Sequence, residues 1–296
     1  MSEKRFGQVA LMGRPNVGKS TLLNALVGEH LAIVTHKPQT TRHRILGVLT
    51  EARGQIAFVD TPGLHRRRDH ALNRRLNRIA ADTRGGVDLV VLVVDATRQT
   101  EEDSLALEQV RSHDGPAILA FNKIDLLKDR SSLLSLTEQL TGRAEFAAVV
   151  YLSAEKQQGL DGLVDEVFRL LPAGEPQYPE DLFTDRSERF LVAELVREQL
   201  MLQLHQEIPY GLTVQVERFE RQPRRIEIGA LIVVSEDRHK GMVIGRQGQV
   251  LKRVGSRARK AAAELLGMPV HLELHVKTRS GWMDDEGSLD ELGYAR

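Results

Sequence analysis

The sequence predicts an α/β protein: a doubly wound, mainly parallel sheet, followed by a smaller α+β domain. Two observations support this prediction. The first half contains apolar runs without alternation, separated by segments of helical spacing, at 7–13, 55–60, 87–96, 116–123 and 147–153. Strands of this kind are buried on both faces, as in parallel sheets covered by helices. Residues 212–220 instead alternate apolar and polar side chains, which indicates a half-buried strand of a different sheet.

Composition divides the chain into four segments. Residues 1–172 are nearly balanced in charge, and we expect the first domain there. Residues 173–185 hold four acids, two prolines and no base, which predicts a linker. Residues 186–279 carry 17 basic and 11 acidic residues, so the second domain is basic and suits a polyanionic partner. Residues 280–296, with five acids and one base, are predicted to form a polar tail.

The overall composition excludes several classes of protein. The 296 residues include 41 basic and 41 acidic residues and no cysteine, so disulfide scaffolds, thiol catalysis and cysteine-ligated metals are excluded. No run of about 18 apolar residues is present to span a membrane. The first residues lack the apolar stretch of a signal peptide. We therefore expect a cytoplasmic protein.

The first chemical motif follows the first predicted strand. It reads Gly-Arg-Pro-Asn-Val-Gly-Lys-Ser and matches the phosphate-binding pattern G-x-x-x-x-G-K-[ST] at the start of a helix. Backbone N–H groups of such a loop surround phosphate oxygens, and the helix N-terminus adds partial positive charge. Lys19 is expected at the β- and γ-phosphates and Ser20 on Mg²⁺. The candidate phosphate site comprises Gly13, Arg14, Pro15, Asn16, Val17, Gly18, Lys19, Ser20 and Thr21.

A second motif, Asp60-Thr61-Pro62-Gly63, closes the predicted strand 55–60. Asp60 can hold the magnesium ion through water, and the Gly63 N–H can contact the γ-phosphate. In isolation such a sequence is more often an ordinary turn. Its place at a strand end, about 45 residues after a phosphate loop, favours the nucleotide interpretation.

A third motif, Asn122-Lys123-Ile124-Asp125, closes the strand 116–123. The Asp125 carboxylate can accept hydrogen bonds from both N1–H and the 2-amino group of guanine, whereas adenine would leave it unpaired. The aliphatic part of Lys123 can pack on the purine. After the next strand, Ser153 and Ala154 are expected to offer a backbone N–H to guanine O6.

In this order, the motifs resemble those of the translation-factor-related GTPases. The resemblance implies a GTP/GDP switch that hydrolyses GTP with Mg²⁺. It also places Gln39-Thr40-Thr41-Arg42-His43 in the first switch region, with Thr41 as the sensor of magnesium and γ-phosphate and Thr40 as the reserve. The expected catalytic residues are Lys19, Thr41 and Gly63, and the expected magnesium ligands are Ser20, Thr41 and Asp60.

Leu64 departs from the pattern of many small GTPases, which carry a water-orienting glutamine after the Asp-x-x-Gly turn. Leucine cannot orient water, so we expect slow intrinsic hydrolysis. The resemblance suggests that Asn16 helps to bind K⁺ beside the phosphates, where a cation would spread developing negative charge. The alternative for Asn16 is a loop residue that bonds its own backbone.

The second domain contains a G-x-x-G loop between two predicted helices. This loop, and the predicted order helix-strand-strand-helix-helix-strand, resemble the type II K-homology RNA-binding domain. Arg253, Arg257 and Lys260 share one side of the second helix, along which phosphates could lie. The candidate RNA-binding residues are Gly245, Arg246, Gln247, Gly248, Lys252, Arg253, Arg257 and Lys260.

The combination of both domains resembles the bacterial ribosome-assembly GTPases over roughly residues 6–277. The resemblance implies binding to small-subunit ribosomal RNA near its 3′ end, gating by GTP, and peripheral contact with the inner face of the cell membrane. We expect a monomer. Two alternatives remain: a constitutive RNA-binding module whose nucleotide domain is mainly structural, and a membrane-remodelling GTPase. No amphipathic insertion segment or long coiled coil supports the latter.

Overall fold

The computed structural model describes residues 3–37, 40–60, 70–82, 86–129, 131–205 and 208–294. These residues form two compact units. The first unit draws its described residues from 1–32, 41–65 and 76–185, and the second draws them from 33–40, 66–75 and 186–296. Two short segments from the first third of the chain thus belong to the second unit, a division that the sequence did not predict.

The first unit is built on a six-stranded sheet in the order β2-β3-β1-β4-β5-β6. Only β2 is antiparallel to its neighbour, so the predicted mainly parallel sheet is confirmed. The strands are β1 (Arg5–Met12), β2 (Ile45–Glu51), β3 (Gly54–Asp60), β4 (Leu89–Asp95), β5 (Ala117–Asn122) and β6 (Ala148–Tyr151). Every residue of β3, β4 and β5 is buried, which explains their unbroken apolar runs.

The helices α1 (Lys19–Val27), α3 (Glu101–Arg111), α4 (Ser132–Thr141) and α5 (Leu160–Leu170) belong to this unit. The helix α2 (Ala71–Asp82) begins in residues of the second unit and ends in residues of the first. In α5 the residues Leu163, Val164, Val167 and Phe168 are buried, the spacing expected of one helix face. Because the parallel strands are joined through helices, their carboxyl ends meet at one edge of the sheet, where ligands bind in folds of this type.

Residues 173–185, the predicted linker, are grouped with the first unit and pack on its sheet. The Tyr178 N–H donates to Gln55 Oε1 at 2.9 Å, and the Val48 N–H donates to the Phe183 carbonyl at 3.0 Å. The Thr184 hydroxyl donates to the Leu46 carbonyl at 2.7 Å. These hydrogen bonds involve residues of β2 and β3. The acidic segment with two prolines therefore runs along the edge of the sheet that these two strands form.

The second unit contains α6 (Glu188–Gln203), β7 (Leu212–Arg221), β8 (Ile226–Val234), α7 (Asp237–Ile244), α8 (Gln249–Leu266), β9 (Val270–Thr278) and α9 (Glu286–Glu291). The order from α6 to β9 is the one predicted. Its sheet has the order β7-β8-β9, with β7 and β8 antiparallel and β8 and β9 parallel. Across the described residues, no helix has both the length and the apolar character needed to cross a membrane.

The last residues differ from the predicted polar tail. Trp282, Leu289 and Tyr294 are buried, and Leu289 lies in the short helix α9. The Trp282 indole N–H donates to the Gly211 carbonyl at 3.2 Å, and the Tyr294 hydroxyl donates to Thr213 Oγ1 at 3.0 Å. The five acids of this segment had suggested a solvated tail, but most of its large apolar side chains are buried, and their burial favours a folded segment.

Candidate functional site

The loop between β1 and α1 lies at the carboxyl edge of the first sheet. Gly18 starts α1 with a φ of 101°, in the left-handed region that favours glycine. A Cβ atom at this position would lie 2.3 Å from Asn122 Nδ2. Glycine is therefore required here both by the backbone conformation and by the close approach of the Asn122 side chain.

Lys19 is nearly enclosed by this loop. Its ammonium donates to the carbonyls of Gly13 at 2.8 Å and Arg14 at 3.0 Å. Burial lowers the pKa of the Lys19 ammonium, and the nearby Asp60 carboxylate opposes that effect. A phosphate bound in the loop would favour the charged form of this buried group, which is the arrangement a phosphate-binding lysine needs.

Three oxygen-bearing side chains converge beside the loop. Ser20 Oγ lies 2.8 Å from Thr41 Oγ1 and donates to Asp60 Oδ2 at 2.6 Å, and Thr41 Oγ1 lies 3.4 Å from the same carboxylate oxygen. Magnesium prefers such hard oxygen ligands, so the residues present fit the ion. Within the part of the chain that the structure describes, no cluster of three His, Asp or Glu residues could replace this set.

Asp125 stands at the end of β5, near the same edge. Its Oδ1 is buried and has no hydrogen-bond partner among the described residues. A buried carboxylate oxygen without a donor is costly. A guanine base would supply two donors to this carboxylate, so the geometry is consistent with the predicted base contact.

Asn122 joins the motifs to one another. Its Nδ2 donates to the Val17 carbonyl at 2.9 Å, and its Oδ1 accepts the N–H groups of Lys123 at 2.8 Å and Ala154 at 2.9 Å. The Ser153 N–H donates to the Gln158 carbonyl at 3.0 Å. Both N–H groups thus have partners within the chain, and the expected contact of Ser153 or Ala154 with guanine O6 stays a prediction.

Lys123 has a left-handed backbone, with φ of 68°, and its ammonium is held at two points. It donates to the Asn16 carbonyl and to Asp95 Oδ2, both at 2.7 Å. Burial alone would raise the pKa of Asp95, but hydrogen bonds from Lys123 and Thr97 outweigh it and lower that pKa. The backbone and the ammonium of Lys123 are thus both held in place. This fixes the aliphatic part of the side chain, which could then pack against a planar base.

Arg14 has a role that its motif does not reveal. Its Nε lies 3.0 Å from both carboxylate oxygens of Asp103, on the first turn of α3, and its Nη2 donates to the Arg98 carbonyl at 2.9 Å. This guanidinium ties the phosphate loop to α3. In this structure its side chain is therefore engaged in contacts with α3 and the end of β4.

Some predicted site residues lie outside the described part of the chain. They are Gln39, Thr61, Pro62, Gly63 and Leu64. The expected γ-phosphate contact of Gly63 and the consequence of Leu64 for hydrolysis stay predictions.

The second unit has a groove between α8 and β9. It is lined by Gly248 just before α8, by Leu251, Lys252, Gly255, Ser256 and Arg259 on α8, and by His271, Leu272 and Leu274 on β9. The predicted loop Gly245–Gly248 lies at the N-terminus of α8, and Arg246 and Gln247 are exposed there. A Cβ at Gly245, where φ is 73°, would lie 2.4 Å from Val250 Cγ2, so glycine is needed for the turn into α8.

Only part of the predicted basic face borders this groove. Lys252 lines it, whereas Arg253, Arg257 and Lys260 are exposed on α8 but absent from its lining. Arg259 and His271 line it and were not among the predicted RNA-binding residues. Helical spacing groups residues by side but does not say which side faces β9.

Comparisons with known proteins agree with both halves of this description. The family model of the 50S ribosome-binding GTPases matches residues 8–123, and the KH domain model matches residues 207–283. The GTPase Era of Stenotrophomonas maltophilia (strain K279a) is 50% identical over 288 residues, 97% of each chain. The chain belongs to the Era family of GTPases.

Further Era proteins extend this similarity over the whole chain. Era of Xanthomonas campestris pv. campestris (strain B100) is 49% identical over 293 residues, 99% of this chain and 98% of the relative. A crystal structure of an Aquifex aeolicus Era variant bound to GDP·AlF₄⁻ has a TM-score of 0.95 at 35% identity, covering 99% of this chain and all of that one. The predicted combination of a GTPase domain and a K-homology domain is thereby confirmed.

Another Era structure was solved with both a nucleotide and RNA. It contains MgGDPNP and nucleotides 1506–1542 of 16S ribosomal RNA, with a TM-score of 0.95, 35% identity and coverage of 99% of this chain and all of that one. Those ligands belong to that protein.

Proposed function

We propose that this chain is a GTP-hydrolysing switch that binds small-subunit ribosomal RNA near its 3′ end, and that GTP gates this binding during maturation of the small ribosomal subunit. The observation that supports it most is the Era structure with MgGDPNP and a 16S ribosomal RNA fragment, which matches this chain over almost its full length. The oxygen cluster of the first unit and the groove of the second fit the same two ligands.

Each nucleotide-site residue has a role in this proposal. Lys19 and the loop N–H groups bind the phosphates, and Asp125 selects guanine. Ser20, Thr41 and Asp60 hold Mg²⁺, which neutralises charge that develops on the phosphates. Arg14, the arginine of the phosphate loop, is bound to Asp103.

RNA is proposed to enter the groove of the second unit. The loop Gly245–Gly248 allows close approach of the RNA backbone, while Lys252 and Arg259 supply charge on the groove side of α8. The exposed residues Arg253, Arg257 and Lys260 would contact phosphates that leave the groove. His271 and Ser256 can offer hydrogen bonds to base edges.

The gating is tested by the affinity for a short RNA that matches the 3′ end of small-subunit ribosomal RNA, measured with GDP and with a non-hydrolysable GTP analogue at one fixed salt concentration. We expect binding at least tenfold tighter with the analogue, which corresponds to about 1.4 kcal/mol of coupling. Equal, tight binding in both states would favour the constitutive RNA-binding module, and no binding in either would contradict the ribosomal assignment.

A pair of glycine variants shows whether the binding uses the groove. Gly248→Asp places a negative charge in open space at the loop and is expected to weaken RNA binding about tenfold without changing GTP affinity. Gly267→Asp is the matched control, because Gly267 also has a left-handed backbone and open surroundings but lies at the other end of α8.

Lys19→Ala should abolish the dependence of RNA binding on nucleotide.

Potassium is proposed to stimulate hydrolysis through Asn16. This residue is exposed on the phosphate loop, with a left-handed backbone of φ 65°. A cation held there would stabilise the developing phosphate charge, so we expect turnover in K⁺ to exceed turnover in Na⁺ about tenfold and Asn16→Ala to remove the difference. Equal turnover in both salts would contradict this role.

The cellular setting follows from the resemblance alone. We propose a cytoplasmic monomer with peripheral contact to the inner face of the cell membrane, for which the basic charge of residues 186–279 is the available support. Flotation with anionic vesicles in the absence of RNA tests the membrane contact, and light scattering tests the oligomeric state.

A further inference from the structure

A buried carboxylate lies next to the phosphate loop, at the end of β4. It belongs to Asp95, which pairs in register with Asn122 of β5 and is 6% exposed. Both of its oxygens accept hydrogen bonds. Oδ1 accepts the Thr97 N–H at 2.9 Å and the Thr97 hydroxyl at 2.6 Å, and Oδ2 accepts the Lys123 ammonium at 2.7 Å. The bonds from Thr97 therefore fix the direction in which Oδ2 meets Lys123.

Two cations of the nucleotide motifs lie near the same oxygen of Asp95. Besides the Lys123 ammonium, the Nη2 of Arg14 lies 3.7 Å from Oδ2. Arg14 has a closer acid in Asp103, whereas Asp95 is the one acid that pairs with the Lys123 ammonium within the described ranges. The Lys123 side chain is 30% exposed, so without this acid its ammonium can turn to water instead.

The second acceptor of the Lys123 ammonium is the backbone of the phosphate loop. Nζ donates to the Asn16 carbonyl at 2.7 Å. Asn16 has a left-handed backbone with φ of 65°, a conformation that is uncommon for residues other than glycine. The ammonium therefore holds one point of the loop, and the aliphatic part of the same side chain is the predicted wall for the base.

These contacts form a chain from Asp95 to the phosphate loop, and all of its residues belong to the first unit. We propose that Asp95 is a positioning residue for the bound nucleotide, because it fixes Lys123 where that side chain can hold the Asn16 carbonyl and the face of guanine together. The inference rests on the proposed function in one respect, the binding of guanine nucleotide between Lys123 and the phosphate loop. It goes further in that a residue outside the nucleotide motifs sets the lifetime of the bound nucleotide.

The first test is Asp95→Asn in the full chain, with release of a fluorescent GDP analogue followed by stopped flow. The amide keeps the shape of the carboxylate but removes its charge. We expect the dissociation rate to rise about tenfold and the association rate to change less than about twofold, because the lost contact acts on the bound state. An unchanged dissociation rate would overturn the inference.

Steady-state hydrolysis of GTP by the same variant separates binding from catalysis. We expect KM to rise about tenfold and kcat at saturating GTP to stay within about twofold, because the expected magnesium ligands are untouched. Asp95→Glu, which keeps the charge, should recover part of the affinity. A fall in kcat at unchanged KM in Asp95→Asn would overturn the inference, since the residue would then act on the reaction and not on the bound nucleotide.

Two variants control for a purely structural effect. Asp88 precedes the other end of β4, where its Oδ2 accepts the Gln8 N–H at 2.7 Å, so Asp88→Asn makes the same change at the opposite end of the strand. Thr97→Val removes one donor to Oδ1 and leaves the bond between Asp95 and Lys123 in place. Both should release GDP within about twofold of the unaltered chain. Release as fast as in Asp95→Asn, in either variant, would overturn the inference.

Lys123→Met and the double variant identify the route of the effect. Methionine keeps an apolar side chain beside the base but removes the ammonium. If Asp95 acts through Lys123, the double variant should release GDP at the rate of Lys123→Met alone, whereas multiplied effects would overturn the inference. Fast release in Lys123→Met with none in Asp95→Asn would overturn it too, and leave the proposed function intact. Equal affinity of the unaltered chain for GDP and ADP would reject the guanine site, and the inference with it.

Discussion

Asp125→Asn is expected to weaken GTP binding on the order of 100-fold and to strengthen binding of XTP. The carboxylate would accept two hydrogen bonds from guanine, and its buried Oδ1 has no other partner among the residues described. The asparagine side chain has an NH₂ group in place of one carboxylate oxygen. This group cannot accept a hydrogen bond from the 2-amino group of guanine, but it can donate one to the 2-oxo group of xanthine. Charged hydrogen bonds of this kind contribute about 1.5–3 kcal/mol each. Competition of both nucleotides against a fluorescent GDP analogue measures the change.

Asp129→Asn is the matched control for this exchange. Asp129 lies four residues further along, and its carboxylate accepts hydrogen bonds from the Ser131 N–H and hydroxyl, outside the nucleotide motif. The same carboxylate-to-amide change there should leave both affinities unaltered. Retained preference for GTP in Asp125→Asn would show that the base contact is assigned to the wrong residue.

Trp282→Ala is expected to lower the free energy of unfolding of the second unit by about 3–5 kcal/mol, the range for removal of a large buried aromatic side chain. The indole is 0% exposed, stacks near Tyr294 with ring centroids 5.9 Å apart, and donates to the Gly211 carbonyl. Urea denaturation followed by circular dichroism gives the change. Trp282→Phe keeps most of the apolar contact and should cost clearly less.

A small effect of Trp282→Ala would instead support the polar tail that the composition of residues 280–296 predicts. A substitution in a solvated tail changes stability by no more than about 0.5 kcal/mol. A value that small for Trp282→Ala would mean that residues 280–296 are not folded on the second unit in solution.

Much of the nucleotide site could be predicted because its chemistry is local in sequence. The phosphate loop and the Asn122–Asp125 motif each occupy a few consecutive residues, and each follows a strand whose apolar run is continuous. Parallel strands place their carboxyl ends at one edge, so the motifs meet without any knowledge of packing. The two glycines of the G-x-x-G loop were recognisable for the same reason.

The remaining features depend on contacts between residues far apart in the chain. Arg197 lies in no sequence motif, and its side chain donates to the carbonyl of Thr40, 157 residues earlier in the chain. Arg259 could be separated from Arg253 only by knowing which side of α8 faces β9. Strand β2 is an antiparallel strand at the sheet edge, and its run Ile45–Glu51 is short and ends in polar residues, so its pattern was weak.

The composite second unit has a consequence for the order in which the chain can fold during synthesis. Residues 33–37 leave the ribosome long before α6, whose carbonyls and carboxylate they bind. The partners of Arg75 are translated later still. Its hydrogen bonds to Asp290 and to the Tyr294 carbonyl measure 2.9 and 2.8 Å, and both acceptors follow Arg75 by more than 200 residues. In a nascent chain halted before α9, these hydrogen bonds of Arg75 cannot form, so this part of the second unit can complete its packing only when synthesis is nearly finished.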